Sequence, residues 1–214
     1  MYRSLIVWIV ATCATLPAVA ACEDEIRAMY DIGGLFDPAE LSPQEHRVVW
    51  IAPDGTETPA NIARWENANR VVSENGGMFL LSYDGGYFQG PGWDGPWQDM
   101  GYPASGDAIE IGRAMNDVVR TNLADMACDG EVEIDGRVAR KYSYRYRVET
   151  AGGASWWESD YVLFVDTETG NRLRTEERGL IESWAETATP KAETRVTTIT
   201  QHPGYVVPNA PDAD

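Results

Sequence analysis

From Arg140 to Val148 the residues alternate without a break, with Tyr142, Tyr144, Tyr146 and Val148 on one parity and Lys141, Ser143, Arg145 and Arg147 on the other. A period of two belongs to a strand with opposed faces, so the pattern predicts a β-strand that is aromatic on one side and cationic on the other. Tyr161–Val165 is apolar on both parities and predicts a central strand, which Asp166-Thr-Glu-Thr-Gly170-Asn turns into a return strand over Arg172–Arg178. Upstream, Val48–Ile51 and Thr56–Trp65 flank Pro53-Asp54-Gly55, Val71-Val72 and Met78–Tyr83 flank Asn75-Gly76-Gly77, and Asp84-Gly85-Gly86 precedes Tyr87-Phe88. These are hairpins in series. Glu182–Ala188 and Glu193–Thr200 supply two further candidate strands.

The period changes to that of a helix in two places. Ala108, Ile111, Met115, Val118 and Val119 share one face behind the cap Asp107, which predicts a helix to about Met126 that ends near Cys128-Asp129-Gly130. Ile26, Met29 and Tyr30 predict a short helix over 23–30, stopped by Gly33-Gly34. The element order gives an α+β fold, a curved antiparallel β-sheet (a half-barrel) with one long helix and one short N-terminal helix. The concave aromatic face then either packs on the first helix and the long loop 90–103 or encloses a hydrophobic cavity.

Residues 1–20 have the form of a secretory signal, with Arg3, the apolar run Leu5–Leu16 and the small residues Ala18-Val19-Ala20. The expected organisation is a signal peptide over 1–20, a single α+β domain over 21–200 and an exposed C-terminal tail over 201–214. No transmembrane span is expected in the mature chain. Without the signal the remaining cysteines are Cys22 and Cys128. In an oxidising compartment they form a disulfide, which places the protein in the periplasm or outside the cell. The alternative is that Val19-Ala20-Ala21-Cys22 is a lipobox and Cys22 a lipid anchor.

Charge narrows the classes of partner. With 17 Lys and Arg against 34 Asp and Glu the net charge is −17, which excludes a nucleic-acid partner that needs clustered cations. The dense cationic row Lys141, Arg145 and Arg147, which Arg172 and Arg174 could join, is read as a ladder with Glu149, Glu176 and Glu177. Its functional alternative is an anchor for an acidic partner or a lipid headgroup.

Motifs for catalysis are not found. Gly90-Pro-Gly-Trp-Asp-Gly95 has the letters of a dinucleotide loop, but Pro91 and Pro96 prevent consecutive amides from facing a pyrophosphate. Asp129–Gly136 lacks the glycine and glutamate spacing of a calcium loop. His46 and His202 are read as surface histidines, and no catalytic residue, metal site or cofactor is expected. The aromatic clusters Trp93/Trp97 and Trp156/Trp157 sit beside Gly-rich segments, where they either line a ligand site or plug the sheet's open end.

The hairpin Tyr161-Val-Leu-Phe-Val-Asp166-Thr-Glu-Thr-Gly170-Asn-Arg-Leu-Arg174-Thr-Glu, together with the Tyr-rich strand 142–148, resembles exported LolA/LppX-like proteins. The resemblance implies a half-barrel whose apolar cavity carries a lipid, an acyl chain or another hydrophobic molecule. The expected ligand-binding residues are Tyr142, Tyr144, Tyr146, Leu163 and Val165 on the sheet, with Trp93 and Trp97 at the mouth. The competing expectation is a non-enzymatic envelope interaction or scaffold protein with its cavity filled and an envelope protein as partner. An open apolar cavity separates the first reading from the second.

Overall fold

The computed structural model describes residues 16–102, 106–150 and 155–211, with side chains from residue 20 onward. Of the expected signal segment, residues 1–15 lie outside the described residues.

The chain builds one open antiparallel sheet in the spatial order β6-β5-β4-β3-β2-β1-β11-β10-β9-β8-β7. After helix α1 (Leu16–Ala28) and a short 3-10 helix (Pro38–Glu40), the first wing runs outward from the centre to one edge. It comprises β1 (Gln44–Ile51), β2 (Glu57–Asn67), β3 (Arg70–Asn75), β4 (Met78–Tyr83), β5 (Gly86–Gly90) and β6 (Gln98–Asp99). Helix α2 (Ala108–Thr121) carries the chain back to the opposite edge. The second wing returns to the centre through β7 (Ala124–Ile134), β8 (Arg137–Glu149), β9 (Trp156–Asp166), β10 (Arg172–Glu182) and β11 (Thr194–Gln201), and β11 pairs with β1.

The ladder registers divide the side chains into two faces. On the second wing Tyr142, Tyr144 and Tyr146 lie opposite Leu163, Tyr161 and Ser159, and all face the helices. There they pack with Ile26, Met29 and Tyr30 of the α1 segment and Val119 of α2. Fully burying Ile26 alone contributes about 1.5–3 kcal/mol. Val162 and Phe164, on the other parity of β9, form a separate core on the outer face with Ala139 and Leu173. The strand that is apolar on both parities is thus buried on both sides.

Four features depart from the sequence-based expectations. Helix α1 begins at Leu16 and ends at Ala28, ahead of the expected 23–30. Helix α2 ends at Thr121, with Asn122 as the cap whose amide makes the last bonds back to the Val118 and Val119 carbonyls, and Cys128 lies in the edge strand β7 opposite Tyr142. No strand forms over 182–188 beyond the end of β10, since the Ala185 amide bonds to the Glu182 carbonyl in a turn. The segment after β11 is not wholly exposed: Val207 is 2% exposed, packs with Val72, Leu81, Phe88 and Trp97 on the outer face, and donates its amide to Glu66 Oε2 at 2.9 Å.

Candidate functional site

The tyrosine-lined part of the sheet is filled. Leu163 has no exposed surface, Val165 packs against the same cluster, and the Tyr30 ring lies edge-on to Tyr144 at 6.3 Å between centroids. Each hydroxyl has a protein partner. Tyr30 and Tyr144 share a 2.8 Å hydrogen bond, Tyr142 donates to Glu25 Oε1 at 2.6 Å, and Tyr146 donates to Glu177 Oε1 at 2.6 Å. Glu177 is buried on the helix-facing side and is completed by Arg195 at 3.0 Å. Burial holds the phenols of Tyr30, Tyr144 and Tyr146 well above their ordinary pKa, and that of Tyr161 is pushed up to about 12. Tyr142, Tyr144, Tyr146, Leu163 and Val165 therefore meet the protein's own helix.

Open space lies farther along the same face, over the first wing. One cavity of about 490 Å³ is lined by Val71, Ser73, Leu80, Ser82, Tyr87, Met100 and Tyr102. A second, of about 400 Å³, lies under Phe36, Pro38, Ile111 and Met115, with His46, Trp65 and Arg172 on its sheet side. The two share Ser82 and Tyr87 and form one trough. The ladders place Val71, Ser82 and Tyr87 on one parity, and connect Trp65 and His46 to it through Ala63. Gly112 lets α2 approach the 3-10 helix, since a Cβ there would meet the Pro38 side chain at 2.9 Å. This close contact closes one side of the trough. Its size and mostly apolar lining suit a small apolar ligand.

Two polar groups inside the trough region lack partners. His46 Nε2 and Trp65 Nε1 are buried with no hydrogen-bond partner among the described residues, and their rings lie 5.8 Å apart. His46 is half-buried, not the surface histidine expected, because β1 is an interior strand that turns it toward the helices. Burial lowers its pKa to about 3, helped by the charges of Arg172 and Arg195.

Trp93 and Trp97 lie on the opposite face from the trough. Trp97 is buried with Val72, Leu81, Phe88 and Val207, and Trp93 stands edge-on to Phe79 at 5.3 Å with Arg64 over its ring. The alternation of β4 separates Phe79 and Leu81 from Leu80 and Ser82, so these indoles cover the outer face and do not form the mouth of the trough. The outward cations are largely neutralised: Lys141 pairs with Asp129, Arg145 with Glu158, Arg147 with Glu149 and Arg174 with Glu176, each at 2.9–3.0 Å. Arg172 does not join them. A bulge between Arg172 and Arg174 sets the former opposite Val165, on the helix-facing side, and the latter opposite Phe164 on the outer side.

Cys22 and Cys128 form a disulfide that joins α1 to β7, with Cα atoms 5.8 Å apart. Among the described residues no helix is long and apolar enough to cross a membrane, and no group of three or more metal-capable side chains occurs.

No protein-family model matches the chain and no curated protein matches its sequence. Among solved structures it is similar to LprF from Mycobacterium bovis, with a TM-score of 0.50 and 12% identity over 89% of this chain and 97% of that one. It is also similar to the lipoprotein LppX of Mycobacterium tuberculosis (TM-score 0.43, 14% identity, 89% and 99% covered). A LolA superfamily protein from Nitrosomonas europaea follows (TM-score 0.28, 11% identity, 84% and 91% covered). At this identity the likeness shows the fold alone, one shared with LprF.

Proposed function

We propose that this protein is a periplasmic or secreted binding or carrier protein for a hydrophobic ligand, a lipid or an acyl chain, held in the trough over the first wing. The observation that carries this reading is the trough itself: some 490 and 400 Å³ of adjoining space on the helix-facing side of the sheet, lined by Val71, Leu80, Tyr87, Trp65 and Met115. A scaffold protein with a fully packed inner face would fill this space with its own side chains, as α1 does over β8 and β9. The Cys22–Cys128 disulfide supports an oxidising compartment. Binding draws on apolar burial, so affinity for a homologous series of alkyl ligands should rise about fourfold per methylene until the trough is full.

The test uses the neutral dye N-phenyl-1-naphthylamine and native mass spectrometry of the exported protein. The protein should enhance the dye's fluorescence with micromolar affinity, and co-purified amphiphile should add mass. Leu80→Trp, which places an indole in the trough, should weaken dye binding at least tenfold while the unfolding midpoint stays within a few degrees of the parent. Dye affinity indifferent to Leu80→Trp, together with no added mass, would remove the carrier reading.

A further inference from the structure

Arg172 stands apart from the protein's other cations. Every other lysine and arginine among the described residues lies within 4.0 Å of a carboxylate, except Arg27, which donates to the Arg120 carbonyl at 2.7 Å. In a chain with twice as many acids as bases, partners are abundant, yet half-buried Arg172 has neither an ion pair nor a hydrogen bond among those residues. Its nearest compensation is the Phe36 ring, 5.1 Å from the guanidinium carbon. Its guanidinium nitrogens are not among the buried unpartnered atoms, so they face the water of the trough and stay accessible to an incoming anion. The β10 bulge turns Arg172 inward to the trough, where its field also helps keep His46 neutral.

We propose that Arg172 is the headgroup site of the trough and that the natural ligand is a single-headed anionic amphiphile, with its oxyanion on the guanidinium and its chain running past Ser82 and Tyr87 toward Leu80. This rests on the carrier reading and names the ligand class within it. The guanidinium fork matches the two oxygens of a carboxylate or a phosphate monoester, and the adjoining apolar space takes the chain. His46 beside it holds no positive charge at neutral pH that would divide the anion between two cations. The residues lining the trough therefore carry a net positive charge in a protein that is negative as a whole.

The experiment displaces N-phenyl-1-naphthylamine from the full chain with hexadecanoate, hexadecyl phosphate and hexadecanol, in the parent and in Arg172→Met, which keeps an apolar stem against Phe36. A charged hydrogen-bonded contact predicts that at least one anionic probe binds about ten- to a hundredfold more tightly than hexadecanol to the parent. In Arg172→Met that ratio should fall to near one through loss of the anionic probe's affinity, and Arg172→Lys should keep an intermediate ratio. The larger of the two anionic ratios identifies the headgroup as carboxylate or phosphate. Equal binding of all three probes to the parent, or a ratio that survives Arg172→Met, overturns the assignment while leaving the carrier reading intact. If none of the three displaces the dye, the carrier reading fails and the headgroup assignment with it.

Discussion

At the scale of single residues, His46 gives the clearest dependence on pH. Its folded pKa of about 3 lies below the unfolded value near 6.5, so the fold favours the neutral ring. The stability this contributes is complete above pH 6.5 and is lost as pH falls toward 3. His46→Gln should therefore show a shallower fall in unfolding midpoint between about pH 6.5 and 4 than the parent, measured by circular dichroism. Asp37, whose carboxylate accepts from Arg113 at 2.9 and 3.0 Å and from the Gly33 amide at 2.7 Å, has its pKa lowered by those contacts. Its contribution is complete above the ordinary carboxylate range and is lost at still lower pH, so the two groups titrate in different windows. Tyr144→Phe should cost about 1–3 kcal/mol, because it strands the buried Tyr30 hydroxyl, read from urea titrations. The inward turn of Arg172 was not legible: alternation assigns Arg172 and Arg174 to one face, and a single extra residue on β10 separates them.

At the scale of elements, α1 and the turn that follows it are held to the sheet by three kinds of contact: Ile26 and Met29 in the core, Glu25 accepting from Arg140 and Tyr142, and the disulfide to β7. The closed loop spans 106 residues, so Cys128→Ala should cost about 4–5 kcal/mol by loop entropy, read from urea titrations of parent and variant. Ile26→Ala, at a site with no exposed surface, should cost about 2–5 kcal/mol. Strands β8 and β9 were legible because burial on one or both sides writes itself into the alternation of apolar positions. Strand β7 was legible only in its second half, where Glu131 and Glu133 alternate with Val132 and Ile134, which pack against the outer core. Its first half carries no such pattern, because two bulges, between Ala124 and Ala127 and between Cys128 and Gly130, break the alternation. The expected helix over-ran to Met126 for the same reason: Met126 remains partly buried against the core, but as a strand residue.

At the scale of the whole molecule the two wings differ. One is filled from the helix side by α1; the other is covered from the outer side by Trp97 and the segment around Val207, which leaves its inner side open. The fold class could be read from element order, whereas the location of the trough depended on which wing the helices cover, a long-range packing outcome that local periodicity does not encode. The edges are managed by a two-residue β6 and by the acidic, twice-bulged β7, so Glu131→Val with Glu133→Val should promote self-association, visible by sedimentation. The division of the indoles between the two faces has an optical consequence. Trp65 lines the trough with its ring N–H unpartnered, whereas Trp93 and Trp97 lie beyond the sheet. A bound molecule should therefore shift the emission of Trp65 and leave the two outer chromophores nearly constant. Trp65→Phe would abolish the ligand-dependent part of the intrinsic fluorescence, and Trp97→Phe would lower its intensity without altering that response, so the protein contains its own reporter of occupancy.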